Sequence, residues 1–141
     1  MEMPFNTITD ENITMILEFR RMFDSYNAEL FVKNSDQDDL KKLEENVENM
    51  RKALGSSKDF RFYDNEFHDI IAKGTKNEII IQISNVFVDV LLDLQSRIYS
   101  DYGTEEAVDQ HELILKSIKS NNAELASIYS RMHIDNILKM Y

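Results

Sequence analysis

The feature that most constrains the fold is where the chain-breaking residues lie relative to the apolar periodicity. Apolar residues recur every three or four positions over most of the 141-residue chain. The glycines Gly55, Gly74 and Gly103 fall where this period breaks, and the single proline, Pro4, precedes the first periodic segment. A period near 3.6 residues without interior breakers is typical of amphipathic helices. The sequence therefore predicts an all-α protein, which we expect to be an antiparallel bundle of about six helices.

Polar residues with a capping side chain predict where each helix begins. The first helix should end near Lys33 and the third, which runs to about Lys73, should stop at Gly74. Thr75-x-x-Glu78 and Asn121-x-x-Glu124 have the spacing of capping boxes, and Ser35 and Thr104 are further caps. The six helices are thus expected to start near Thr9 or Asp10, Ser35, Lys58, Thr75, Thr104 and Asn121.

Composition bounds the setting in which the chain works. With 43% hydrophobic residues it should be globular, and residues 1–141 fit a single domain. No signal peptide is recognisable, no apolar run approaches a membrane span of about 18–20 residues, and the chain has no cysteine. These observations predict a soluble, cytoplasmic protein without membrane contact. The net charge of −10, spread along the chain, makes it a poor binder of nucleic acid.

The fourth predicted helix is apolar on most sides, with branched residues throughout positions 79–91. Dense β-branched residues also suit a strand, but an unbroken stretch of more than about 10 residues favours a helix. A helix that is apolar all round is either central in its bundle or shared with a partner subunit. The sequence leaves both possibilities open.

The three histidines of the chain all fall on apolar stripes of predicted helices. His68 follows Asp64 by one helical turn, so both side chains lie on one face, while His111 and His133 belong to the fifth and sixth helices. Such a set, if it converges, suits zinc, nickel, iron or manganese. The alternative is that each histidine is a hydrogen-bonded core residue without a ligand. Arg20 also faces inward, where it could pair with Glu18, Asp24 or another carboxylate.

Several motifs, taken in order, resemble the FCD ligand-binding domain of the FadR branch of GntR-type bacterial transcription regulators. The resemblance extends from about Glu11 to Met140. Its motifs are Glu18-x-Arg20, Asp64-Asn65-Glu66-Phe67-His68, Gly74-Thr75-Lys76-Asn77, His111-x-x-Ile114-x-x-x-Ile118, and Ala126 through Met132-His133. It implies an all-helical, effector-sensing domain that forms homodimers. In the family, DNA is bound by an N-terminal winged helix-turn-helix, which has no counterpart in this chain.

The resemblance also implies residue roles. In metal-binding members the ligands correspond to Asp64, His68, His111 and His133, and the first-helix arginine, matched here by Arg20, helps to hold the effector carboxylate. A divalent transition metal, with zinc or nickel favoured, and a small organic acid are therefore expected. This chain has Asp24 where many members have a glutamate, a change that leaves the expected site intact.

Two classes of function fit these expectations. A sensor would fill the free coordination positions of the ion with a carboxylate effector, and we favour this non-enzymatic function. A small helical metalloenzyme would use the same ion to activate water for hydrolysis. Catalysis is disfavoured because no further histidine is available as a general base and Glu66 lies on another face of its helix than His68.

Overall fold

The computed structural model describes residues 9–101 and 104–141, and their side chains except at 10, 97–101 and 104. The described residues form six helices and no strand, as the sequence predicts. The helices are α1 (Asp10–Asn34), α2 (Gln37–Lys52), α3 (Ser57–Gly74), α4 (Glu78–Asp101), α5 (Thr104–Lys119) and α6 (Ala123–Leu138).

Local hydrogen bonds explain most helix starts, and two of the predicted caps are displaced by one residue. Thr9 caps α1 in a capping box with Asn12, as expected. The cap of α2 is Asp36 rather than Ser35, because the backbone N–H of Ser35 donates to Phe31 and completes α1. The cap of α6 is Asn122 rather than Asn121. Asn121 has φ 56°, whereas an N-cap residue needs extended backbone.

The start of α4 also differs from its prediction. The Thr75 hydroxyl donates to the carbonyl of Ala72 and accepts from the backbone N–H of Asn77, so Thr75 closes the preceding turn. The Asn77 side-chain oxygen accepts from the N–H groups of Ile79 and Ile80 and so caps the helix itself. A capping box at Thr75 is therefore wrong. The Thr104 side chain lies outside the described residues, and α3 begins at Ser57 with Ser56 as its cap.

The core lies where α1 packs against α6, α3 and α5. α1 packs most extensively against α6 and also against α3, while α5 packs on α6 and α2 packs on α3 and α5. Gly74 is required where α3 approaches α1, because a Cβ at this position would lie 2.3 Å from two ring atoms of Phe31. The ring of Phe31 is fully buried. This arrangement brings α3, α5 and α6 together around the middle of α1.

The apolar helix α4 is peripheral rather than central. It packs chiefly on α3, and Phe87 stacks on Phe19 of α1 with ring centroids 5.1 Å apart. Ile79 is 70% exposed and Leu92 is 44% exposed, so much of the apolar surface of α4 remains uncovered within this chain. By length and composition alone the stretch Glu78–Ser96 could cross a membrane, which the sequence reasoning had not anticipated. Of the two possibilities left open for α4, the central position is wrong.

Candidate metal centre

Three helices bring the predicted ligands to one point in the core. Asp64 and His68 lie one turn apart on α3, His111 comes from α5 and His133 from α6. Each of the four offers a ligand atom, and these atoms all lie within 4.8 Å of one another. Asp64, His111 and His133 are buried, whereas His68 keeps a small exposed edge. The convergence predicted from the sequence is therefore present in the fold.

The hydrogen bonds of the imidazoles determine which nitrogen carries the proton. Nδ1 of His111 is bonded to the carbonyl oxygen of Ala107, and Nδ1 of His133 is bonded to Oε1 of Gln110. Because both partners are acceptors, each Nδ1 must donate its proton. In the neutral ring this leaves Nε2 with a free lone pair.

His68 has the same tautomer for a different reason. Nη2 of Arg20 lies 3.1 Å from Nε2 of His68, and a guanidinium can only donate, so Nε2 accepts. The proton of the neutral His68 ring is then on Nδ1, which lies 3.8 Å from the Asp24 carboxylate. All three Nε2 atoms thus have a lone pair, as metal ligation requires.

Several of these acceptors have no hydrogen-bond donor. Oδ1 of Asp64, Nε2 of His111 and Nε2 of His133 are buried and lack a hydrogen-bond partner in the described part of the chain. Oδ1 of Asp64 lies 2.8 Å from Nε2 of His111, so two lone pairs face each other whenever His111 is neutral. Such a contact needs either a second proton on His111 or a cation between the two groups.

The pKa values of two of the groups favour the charge states that ligation requires. Burial alone would raise the pKa of Asp64, but His111 and His68, when they are protonated and donate to this carboxylate, outweigh burial and hold that pKa well below its usual value. Burial is the largest cause that lowers the pKa of His133 well below its usual value, and the other basic groups of the centre add to it. Asp64 is therefore an anion and His133 a neutral base near pH 7.

The size and chemistry of this site fit a divalent transition metal ion. Ligands at about 2.1 Å from one ion are at most about 4.2 Å apart. The largest separation permitted by the observed arrangement, 4.8 Å, exceeds this only slightly. Three imidazoles and one carboxylate match the preferences of zinc, nickel, iron and manganese.

Arg20 lies inward, as predicted, and pairs within the bundle. Its Nε donates to Oδ2 of Asp24 at 3.0 Å, and its Nη2 donates to Nε2 of His68 at 3.1 Å. The pairing with Asp24, one of the partners expected from the sequence, is thereby confirmed. A role of Arg20 in effector binding stays a prediction.

Two glutamines at this centre were missed by the sequence reasoning. Gln95 of α4 donates from Nε2 to Oδ2 of Asp64, and Gln110 of α5 accepts from His133. Gln95 is an amide on an otherwise apolar stripe of α4, four residues after the buried Leu91, and this was the only signal the sequence offered. Gln110 directly precedes His111, but its role comes from its contact with His133 on α6, which the sequence does not reveal.

A groove between α3 and α4 leads to the exposed edge of His68. Its volume is about 310 Å³, within the roughly 300–1,000 Å³ of small-molecule sites. Besides His68, it is lined by residues of both helices, among them Phe62, Asn65, Val88 and Leu91. The groove makes the edge of His68 accessible to small molecules.

Comparison with known families now identifies the chain. The model of the FCD domain matches residues 15–136. The chain belongs to the FCD domain family. This confirms the resemblance drawn from the sequence motifs, and it makes the chain a regulatory domain of the kind found in GntR-type transcription regulators.

Solved structures share the fold of this FCD domain. It superposes on GntR from Streptococcus agalactiae with a TM-score of 0.81 and 23% identity, covering 98% of this chain and 64% of that one. McbR/YncC from E. coli gives a TM-score of 0.74 and 17% identity, with 95% and 67% coverage. The FCD domain thus spans less than two thirds of the S. agalactiae protein. No curated protein sequence matches it.

Proposed function

We propose that this FCD domain senses a small organic acid for a GntR-type transcription regulator, and that it does so around one divalent transition metal ion. The ligands would be Asp64, His68, His111 and His133. One observation carries this proposal: buried acceptors with fixed tautomers converge on one point and lack donors. A bound cation would satisfy them together, whereas protons could satisfy them only by charging a buried imidazole.

The organic acid would bind beside the ion through Arg20. When bound, the metal supplies open coordination positions and a positive charge that attract a carboxylate. The Nε2 lone pair of His68 cannot serve both Arg20 and a metal, so loading requires Nη2 of Arg20 to leave His68. The bond from Nε to Asp24 can still hold the guanidinium nearby, and Nη2 then becomes available to donate to the carboxylate.

A sensing role is favoured over hydrolysis by the surroundings of the site. Glu66, two residues before His68 on α3, accepts a hydrogen bond from Asn46 of α2. This bond engages the Glu66 carboxylate with α2, which disfavours its use as a general base at the centre. The metalloenzyme alternative lacks a comparable supporting observation.

The remaining expectations concern the whole regulator. We infer a cytoplasmic homodimer that meets operator DNA through a separate N-terminal domain, since the charge of −10 disfavours DNA contact by this domain. The uncovered apolar surface of α4, including Ile79 and Leu92, supports its use as the subunit interface.

The test is metal analysis of protein purified without chelator, followed by calorimetric titration with zinc and nickel. We expect about one ion per chain and a melting temperature that rises with added metal. His133→Leu replaces the imidazole by an apolar side chain of similar volume, so this variant should lose the ion. The matched control, Leu113→Ala on the exposed face of α5, should retain it. A protein that takes up neither metal would contradict the proposal.

A further inference from the structure

The buried amide of Gln95 has one polar atom with no assigned task. Gln95 is only 1% exposed, and its Nε2 donates to Oδ2 of Asp64. Its Oε1 has no hydrogen-bond partner in the described ranges. An unpaired buried acceptor is costly, so it calls for an explanation, and one explanation is a ligand, ion or water that satisfies it.

The orientation of this amide is determined by its neighbour. Rotating the amide by half a turn would place Oε1, an acceptor, against Oδ2 of Asp64, the carboxylate oxygen that now accepts from Nε2. Two acceptors would then face each other, so Nε2 must be the atom that faces Asp64. Oε1 is consequently an acceptor that remains available beside a metal ligand.

The neighbouring groups of the centre cannot supply the missing donor. Oδ1 of Asp64 and the Nε2 atoms of His111 and His133 are themselves acceptors without partners. The donors of Arg20 that face this region are directed to Asp24 and His68. A carboxylate ligand carries no proton either. A hydroxyl group on the bound molecule can supply this donor.

We propose that Gln95 is a specificity-determining residue that accepts a hydrogen bond from a hydroxyl of the effector, so that the site prefers hydroxy acids to the same acids without the hydroxyl. This inference rests on the proposed function, because it assumes an organic acid at the metal centre. It adds the chemical class of the acid. The two polar atoms of the amide then have separate roles, since Nε2 donates to Asp64 and Oε1 accepts from the ligand.

The test compares acids that differ by a single hydroxyl. Zinc-loaded protein is titrated calorimetrically with glycolate and acetate, and with L-malate and succinate. In each pair we expect the hydroxy acid to bind more tightly, and Gln95→Met to reduce that preference by roughly three- to tenfold, the effect of one neutral hydrogen bond. A hydroxyl that chelates the ion raises the preference of wild type and variant alike, so only the share due to Gln95 disappears in the variant.

Gln110→Met is the matched control. It removes the acceptor of the His133 Nδ1 proton, so it should weaken zinc binding while leaving the ratio of hydroxy acid to plain acid unchanged at saturating zinc. If Gln95 had only a structural role, Gln95→Met would likewise weaken zinc binding and leave the ratio of hydroxy-acid to plain-acid affinity unchanged. An unchanged ratio in Gln95→Met therefore overturns the inference.

Wild-type protein provides a test that does not depend on the variant folding. Equal affinity for both acids of each pair would overturn the role of Gln95 while leaving the proposed sensor intact. Failure to bind any of the four acids would instead contradict the effector proposal on which the inference rests.

Discussion

Arg20→Met should change metal affinity and acid affinity in opposite directions. The guanidinium of Arg20 donates to Nε2 of His68 at 3.1 Å and so competes with a metal for this lone pair. It also places a positive charge beside the cation. Methionine keeps much of the apolar side-chain volume and removes both effects, so the variant should bind zinc more tightly than wild type.

The magnitude follows from the bonds exchanged. A hydrogen bond to a charged group contributes about 1.5–3 kcal/mol, and wild type must give this bond up when metal binds His68. The variant lacks this bond from the start, so its zinc affinity should be higher by roughly tenfold. This is the lower end of the range, because in wild type Arg20 still keeps its bond to Asp24 after it leaves His68. The acid loses a charge-assisted bond of the same size, so its affinity should fall by roughly ten- to more than a hundredfold.

The assay is calorimetric titration of metal-free protein with zinc, and of zinc-loaded protein with L-malate. Arg21→Met is the matched control, because Arg21 forms an exposed ion pair with Asp135 and lies outside the centre. It should alter neither affinity. Unchanged malate affinity in Arg20→Met would remove Arg20 from the effector site, and weaker zinc binding would show that Arg20 supports the ligand set instead of competing with it.

Three further predictions concern pH, packing and assembly. The unfolded chain takes up a proton at His133 near pH 6.5 and the folded chain does not, so the melting temperature of metal-free protein should fall from about pH 7.5 to 5.5, less steeply in His133→Leu. Gly74→Ala should lower the free energy of unfolding by about 1–3 kcal/mol in chemical denaturation, with partial recovery when Phe31→Leu makes room for the methyl group. Light scattering should detect a dimer that Ile79→Glu abolishes and Leu113→Glu preserves, and a monomer at every concentration tested would count against an α4 interface.

The sequence alone determined the helical class and the composition of the candidate site. The 3.6-residue apolar period, and the glycines that lie only where this period is interrupted, are properties of residues close together in the sequence. Six helices could therefore be predicted from the sequence. Asp64 and His68 share a face because they are four residues apart, a relation that any helix imposes. The caps at Asp36 and Asn122 were missed by one residue, because two successive polar residues compete at each start and the backbone angles decide between them.

The tertiary structure decided what the site can do. Whether α3, α5 and α6 place their ligands within reach of one ion depends on packing between residues far apart in the chain. The same packing sets the tautomer of His133 through Gln110, pairs Gln95 with Asp64 and aims Arg20 at His68. It also leaves α4 at the periphery, although its apolar sequence fits a central helix equally well. Periodicity shows which residues face inward, but only the positions of neighbouring helices show what they meet there.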